Sequence, residues 1–162
     1  MKTRVILIAI GVLVAIFILA SCEEESINKS TSDYFIFGHF YGECGGEQCI
    51  EIYKLESGQL YEDINDNYPD FQNAYVGDYE ALTSEKFEVV KDIVDAFPQQ
   101  LFEETNLVIG QPDAGDWGGL YIEYNYNGVN KFWLIDLKTS NTPDYLHVFV
   151  DEVQSKIALI NQ

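Results

Sequence analysis

The distribution of apolar and polar residues predicts a group of short β-strands at the start of the folded part of the chain. Residues 34–42 are rich in aromatic and β-branched side chains without a helical period, which favours a strand with both faces partly covered. Residues 49–56 alternate between apolar and polar positions, and a turn at Ser57-Gly58 joins them to a short strand at 59–63. Together these segments predict an antiparallel meander.

An amphipathic helix is predicted after the meander. Thr83 is placed to cap this helix, and Leu82 and Phe87 flank the cap as a hydrophobic staple. Pro98 lacks a backbone N–H, so we expect it to break or kink the helix and to leave 99–104 as a separate turn. The apolar residues that recur every three or four positions are Phe87, Val90, Ile93, Val94, Phe97 and Leu101.

A hairpin and a closing helix come last. Residues 120–125 and 131–137 predict paired strands, because Asn127-Gly128 between them is a strong turn signal. Thr142 and Pro143 predict the start of the helix, with the threonine hydroxyl as its cap and the proline at its first position. The predicted buried face of this helix consists of Leu146, Phe149, Val150, Val153, Ile157 and Ile160.

Strands and helices therefore come in blocks, which favours an α+β fold over a parallel sheet. We predict an antiparallel sheet of about five strands, formed by the meander and the C-terminal hairpin. Two helices pack against it, one of them kinked at Pro98. The polar stretch 64–82 is predicted to be a long loop that packs on the domain through Tyr68, Phe71, Tyr75 and Tyr79.

The N-terminal segment has the pattern of a secretory signal. Lys2 and Arg4 precede an apolar run at 5–20, and that run of sixteen residues is shorter than the roughly 20 needed to cross a bilayer. An uncleaved membrane anchor is the alternative. Leu19-Ala20-Ser21-Cys22 at the end of the run resembles the lipobox of bacterial lipoproteins. The resemblance implies that a signal peptidase cuts before Cys22 and that Cys22 receives the lipid.

This resemblance sets the predicted organisation and location. Residues 1–21 would be a lipoprotein signal peptide, 22–33 an acidic flexible tether, and 34–162 a single globular domain. Three glutamates at 23–25 resemble the export signal of Bacteroidota-type lipoproteins, although an ordinary solvated linker would look the same. Membrane attachment through Cys22 at the bacterial outer membrane is therefore expected, with exposure at the cell surface as the further expectation.

The charge of the chain excludes one class of partner. All 27 acidic residues lie after the predicted signal peptide, against seven basic residues, which gives this part a formal charge of −20. A field of that sign repels phosphate backbones, so no nucleic-acid binding is expected. A negative charge of this size favours solubility, or it could attract divalent cations or a protein partner with a basic surface.

Cys44 and Cys49 are predicted to form a structural disulfide. Thiols this close in sequence are expected to oxidise outside the cytoplasm, and the four residues between them would place them on facing strands across a tight turn. A redox-active pair would need a lowered thiol pKa and usually a Cys-x-x-Cys spacing. A metal site would need further ligands, and only His39 is near in sequence.

The loop at 110–119 carries the best candidate binding site. Asp113, Asp116, freed backbone carbonyls and an exposed Trp117 ahead of Tyr121 could bind calcium or stack on a sugar. A rigid turn in which the aspartates cap their own backbone amides is the favoured alternative. The loop loosely resembles one in small secreted and lipoprotein domains, with Gln111 and Ala114 in place of two cysteines, and that resemblance implies no activity.

No enzymatic motif is found. Asp63, Asn65 and Asn67 match the start of an EF-hand loop, but Tyr68 stands where the loop needs Gly and Ala74 where it needs Glu. His39 is expected to pack among aromatic residues and His147 to face outwards. No Ser-His-Asp order, phosphate loop or zinc motif is present. Glycoside hydrolysis by carboxylates alone is the enzymatic alternative that the sequence leaves open.

These observations predict a non-catalytic lipoprotein that works as a protein-interaction, accessory or inhibitor-like module. The alternative is a glycan- or calcium-binding surface module that uses the aspartates of the 110–119 loop with Trp117, Tyr121 and Tyr124. No cofactor is expected, with calcium as the sole candidate.

Overall fold

The computed structural model describes residues 33–162, which form an α+β domain with a seven-stranded mixed sheet and two α-helices. The strands are β1 (Tyr34–Phe40), β2 (Ile50–Glu56), β3 (Gln59–Asp63), β4 (Tyr79–Ala81), β5 (Val108–Ile109), β6 (Gly119–Tyr126) and β7 (Val129–Asp136). The helices are α1 (Ser84–Val90) and α2 (Asp144–Ile160). Short 3₁₀ turns occupy Glu47–Cys49, Ile93–Ala96, Gln99–Glu103 and Thr139–Asn141.

The predicted meander and hairpin are both confirmed, and they meet in the middle of the sheet. The strand order is β4-β3-β2-β1-β6-β7-β5, with all pairs antiparallel except β5 with β7. Asn127 and Gly128 connect β6 to β7 with φ of 51° and 77°. Two successive residues with positive φ form the turn that matches the natural twist of a hairpin.

The first helix is shorter than predicted and does not extend to Pro98. It ends at Val90, and the chain continues as the two 3₁₀ turns Ile93–Ala96 and Gln99–Glu103. Ile93, Phe97 and Leu101 are nevertheless buried. Ile93 and Leu101 belong to the two 3₁₀ turns, and Phe97 lies in the extended link between them. The β-branched residues at the end of α1 have low helix propensity and favour this early stop.

Helix α2 has the predicted buried face, and all six of the predicted apolar residues are in the core. Its cap differs from the prediction. Pro143 holds the N-cap position, and the Thr142 hydroxyl donates to the carbonyl of Thr139 at 3.4 Å instead of capping the helix. The sustained apolar stripe over 17 residues therefore forms the helix without a side-chain cap.

Both faces of the sheet are covered. The helices pack on one face, whose core includes Phe37, Ile122 and Trp133. The segment 64–78 covers the other face, and the partly buried rings of Tyr75 and Tyr79 pack against the core of that side. The loop predicted at 64–82 therefore does pack on the domain, and its last residues form the edge strand β4.

The register of the strands defines two ends of the sheet. Tyr34 lies opposite Glu56 and Asn125, so the start of β1 shares one end with the β2–β3 and β6–β7 turns. Phe40 lies opposite Ile50 and Gly119, so the loops 41–49 and 110–118 leave from the other end. We call these the N-terminal end and the opposite end of the sheet.

Residues 1–32 lie outside the described part of the chain, and so do the predicted signal peptide, Cys22 and nearly all of the predicted tether. Neither α-helix within residues 33–162 has the length and apolar character needed to cross a bilayer.

Candidate functional site

The two cysteines form a closed loop at the opposite end of the sheet. The Sγ atoms of Cys44 and Cys49 are 1.98 Å apart, with 5.6 Å between the Cα atoms. They do not lie on facing strands as predicted. Both belong to the β1–β2 connection, where Cys49 ends the 3₁₀ turn just before β2. Gly46, with φ of 131°, allows the tight course of this loop.

Asp113 fastens three parts of the chain to one another. Its Oδ2 accepts hydrogen bonds from the backbone N–H of Gly42 at 2.9 Å and from the Tyr68 hydroxyl at 2.8 Å. Its Oδ1 accepts from the N–H of Gly118 at 3.2 Å. Both carboxylate oxygens are therefore engaged inside the protein. The bond to Gly118 is the kind expected of a rigid turn, whereas the side chain of Asp116 makes no such bond within residues 33–162. Burial and the hydrogen bond to Asp113 raise the pKa of the Tyr68 hydroxyl.

The predicted ligand-binding residues do not all converge on one surface. Tyr121 is fully buried, and its hydroxyl accepts from the backbone N–H of Tyr75 at 2.8 Å and donates to Glu123. Trp117 is 48% exposed, but the Lys138 ammonium lies 4.5 Å from the centre of its ring. That cation occupies ring surface on which a sugar would stack. Asp116 is exposed and lies beside the cysteine loop.

Asp116 and the cysteine loop enclose a cleft of about 570 Å³, which we call the acidic cleft. Glu43, Glu47 and Asp116 bring three exposed carboxylates to it, and none of the three makes a side-chain hydrogen bond or ion pair with other residues of the 33–162 domain. The remaining lining residues are Tyr41, Cys44, Gly45, Gly46, Gln48 and Cys49. No lysine or arginine is among them.

Tyr41 forms a wall of this cleft, and a glycine fixes its position. A Cβ atom on Gly118 would lie 2.2 Å from Cε1 of Tyr41, so the ring packs directly on the backbone there. Burial raises the pKa of Tyr41, which keeps its hydroxyl neutral at physiological pH. Sequence reasoning missed Tyr41, Glu43 and Glu47, and the available signal was the acidic residues in and beside the cysteine loop.

A second polar cluster lies under the end of α2. The Tyr53 hydroxyl is 2.6 Å from Oε2 of Glu51, 2.6 Å from Oδ1 of Asn161 and 3.3 Å from Oε1 of Glu62. Glu51 is 6% exposed, and burial raises its pKa. His39, Gln48 and Asn161 line a neighbouring groove of about 420 Å³.

Both histidines are held by backbone carbonyls. Nε2 of His39 lies 3.1 Å from the carbonyl of Gln48, and burial lowers the pKa of His39, which favours the neutral ring. Nε2 of His147 lies 3.0 Å from the carbonyl of Thr139. In each case the ring N–H donates to the carbonyl, which orients the histidine within the fold.

In the stretch that matches the start of an EF-hand loop, Asp63 is held by hydrogen bonds within the fold. Asp63 is 2% exposed and accepts hydrogen bonds from the Tyr75 hydroxyl and two backbone N–H groups. Across residues 33–162, no group of three or more His, Cys, Asp or Glu side chains is arranged to hold a metal ion.

No protein-family model, curated protein or solved structure matches this chain. The chemistry of the acidic cleft is therefore inferred from its own residues. They offer three unpaired carboxylates, one neutral phenol and no cation, and this combination suits a positively charged group of a partner.

Proposed function

We propose that the chain is a lipid-anchored, non-catalytic lipoprotein whose domain binds a basic segment of a partner protein in the acidic cleft. The lipid would be carried by Cys22 at the bacterial outer membrane, with the domain exposed at the cell surface. One observation carries this proposal. Asp33, which the predicted tether would join, lies at the N-terminal end of the sheet, whereas the acidic cleft lies at the opposite end.

The length of the sheet separates the two features. β1 runs from Tyr34 to Phe40, and seven residues of strand cover roughly 20 Å at about 3.3 Å per residue. A domain held at Asp33 can therefore present its acidic cleft away from the membrane. This arrangement supports a role in contacting another macromolecule from a fixed position.

Charge and apolar surface both favour a protein as the partner. Exposed ion pairs contribute only about 0.2–1 kcal/mol each. The three carboxylates would therefore select a positively charged partner and speed its association, but they would not by themselves give high affinity. Partly exposed aromatic rings lie next to the cleft and can add affinity. Tyr68 and Phe71 stack with ring centres 6.3 Å apart, and Tyr68 bonds to Asp113 beside the cleft. Aromatic side chains are the usual anchors of protein interfaces.

The alternatives have less support. The aspartate that a calcium site would need, Asp113, already accepts three hydrogen bonds. The ring that a glycan site would need, Trp117, already has a cation over it. A non-catalytic role is supported by the hydrogen bonds of His39 and His147, since within residues 33–162 their side chains bond only to backbone carbonyls and not to a Ser, Thr or Cys side chain.

A binding titration with a defined cationic probe tests the cleft. We expect a tri-arginine amide peptide to bind the protein in low salt and to be weakened by added salt. The variant Glu43→Gln/Glu47→Gln/Asp116→Asn should bind about tenfold more weakly, which corresponds to about 1.4 kcal/mol. The matched control Glu80→Gln/Asp95→Asn/Asp151→Asn removes the same charge from exposed positions elsewhere. Equal losses in both variants would show that only net charge matters and would reject the cleft.

Two experiments in cells test the lipid anchor and the binding of a partner protein. Metabolic labelling with a tagged fatty acid should label the wild type and not Cys22→Ser, and an unlabelled wild type or equal labelling of the two would reject the lipid anchor. A photo-crosslinking residue in place of the exposed Gln48 should give one protein adduct in intact cells of the source organism. The same residue in place of the exposed Lys91, which lines a groove with Asp33 and Ser57 at the N-terminal end of the sheet, should not give that adduct. The same adduct at both positions would argue against partner binding in the cleft.

A further inference from the structure

We infer that the tip of the β6–β7 hairpin is a membrane-contacting surface that rests in the headgroup region of a bilayer. Tyr126 and Val129 form the last pair of the hairpin and are 54% and 61% exposed. A tyrosine and a valine this exposed form a small apolar surface at one tip, next to the ring of Tyr124, whose centre is 6.3 Å from that of Tyr126.

The hairpin tip lies where the folded domain begins. The backbone N–H of Asn127 donates to Oδ1 of Asp33 at 2.8 Å, which fixes the turn to the first described residue. Asp33 is eleven residues along the chain from Cys22. Eleven residues can span no more than roughly 40 Å, at about 3.6 Å per residue, so an anchor at Cys22 would keep the domain near the bilayer. This step rests on the proposed lipidation of Cys22.

The chemistry of the tip suits lipid. Residues 126–130 read Tyr-Asn-Gly-Val-Asn and carry no charge, in a chain with a formal charge of −18. Tyrosine is enriched at membrane interfaces, because its ring is apolar and its hydroxyl can remain hydrated. The nearest charge is the exposed Asp33 carboxylate bonded to the turn, and it disfavours anionic headgroups, so a zwitterionic surface is the expected occupant. The acidic cleft at the other end of the sheet would face away from that surface.

Because the lipid anchor would already hold the protein at the bilayer, a weak contact by the hairpin tip is enough to orient the domain. Two side chains alone would not hold a protein on a bilayer, but attachment through a short linker raises the effective concentration of the tip at the surface to the order of millimolar. Under that condition the tip sets the orientation of the domain rather than its affinity. The contact would thereby present the acidic cleft towards the partner.

Photo-crosslinking to lipid tests the inference on the natively lipidated full chain in phosphatidylcholine vesicles. A p-benzoylphenylalanine in place of Val129 should give lipid adducts at least about fivefold more often than one in place of Val148. Val148 is more exposed than Val129, and it lies in the first half of α2, which begins beside the opposite end of the sheet. Tyr126→Ser should reduce the yield from position 129 without changing the amount of protein that floats with the vesicles.

The outcomes separate this inference from the proposed function. If the protein floats with the vesicles and positions 129 and 148 give equal yields, the membrane-contacting tip is rejected and the lipid anchor stands. If the protein does not float, the anchor is rejected and the tip with it. Adducts at 129 that are unaffected by Tyr126→Ser would remove Tyr126 from the contact and so overturn the surface as defined here.

Discussion

The hydroxyl of Tyr75 donates a hydrogen bond to Oδ2 of Asp63 over 2.6 Å, and this bond fastens the segment 64–78 to the sheet. Asp63 also accepts from the backbone N–H of Asp78 at 2.5 Å and of Asp66 at 3.1 Å. A single carboxylate at the end of β3 thus binds both ends of the segment and one of its rings. Burial and this hydrogen bond raise the pKa of Tyr75, so the hydroxyl remains a donor throughout the physiological pH range.

Asp63→Ala is therefore expected to loosen the segment and destabilise the domain. Three donors would lose a buried acceptor, and we expect a loss of about 2–4 kcal/mol in the free energy of unfolding, measured by urea denaturation. Hydrogen exchange should rise within 64–78. Asp95→Ala removes an exposed carboxylate without a side-chain partner and should cost less than about 0.5 kcal/mol. Equal stability of the two variants would contradict the role assigned to Asp63.

Asp113→Ala separates a structural role from a calcium-binding role. The substitution removes the acceptor of three hydrogen bonds that join Gly42, Tyr68 and Gly118, and it should lower stability by about 1–3 kcal/mol. Asp116→Asn, at an exposed position of the same loop, should have little effect, because asparagine tolerates the positive φ of 66° found there. The thermal midpoint of each protein should be the same with calcium as with a chelator. A rise with calcium in the wild type that both variants lose would establish a calcium site.

Local signals made much of the fold predictable. The Asn127-Gly128 turn specifies a two-residue hairpin without reference to the rest of the chain, and the stripe of α2 is long enough to exclude other elements. The first helix was misjudged because an apolar residue at every third or fourth position fits one continuous helix, and it fits equally well short turns joined by an extended link, as at Ile93 and Phe97. β5 could not be foreseen, since two residues at Val108–Ile109 are defined only by their parallel partner.

The candidate site was harder to predict because it depends on contacts between distant residues. Asp113 was predicted as a ligand-binding residue with a turn role as the favoured alternative, and two of its partners, Gly42 and Tyr68, are 71 and 45 positions away. Tyr121 was placed in a binding site because the sequence did not show that 64–78 covers its face of the sheet. The acidic cleft combines Glu43 and Glu47 with Asp116, and no local pattern connects them.

Gly38 is expected to be the glycine of the sheet least tolerant of substitution. A Cβ atom there would lie 2.1 Å from the carbonyl oxygen of Glu51 and 2.7 Å from Cδ1 of Ile52. Gly38→Ala should therefore cost at least about 2 kcal/mol, because strands β1 and β2 would have to separate. Gly45→Ala is the control, since a Cβ on Gly45 has no atom within 4 Å. Thermal unfolding of both variants decides the matter, and a stable Gly38→Ala would contradict the close pairing of the two strands.

Glu51→Gln is expected to stabilise the domain, and more so at pH 7 than at pH 4. Burial, reinforced by the nearby Glu62, raises the pKa of Glu51, although the hydrogen bond from Tyr53 acts in the opposite direction. A carboxyl group with a raised pKa in the folded state contributes stability below its unfolded pKa of about 4.3 and loses that contribution as pH rises through the folded value. Glutamine keeps an acceptor for Tyr53 and stays neutral throughout. Urea denaturation across this pH range should show the gain growing with pH, whereas the exposed Glu80→Gln should show a smaller change. A gain for Glu51→Gln that shrinks towards pH 7 would mean that the ionised carboxylate is favoured at this position.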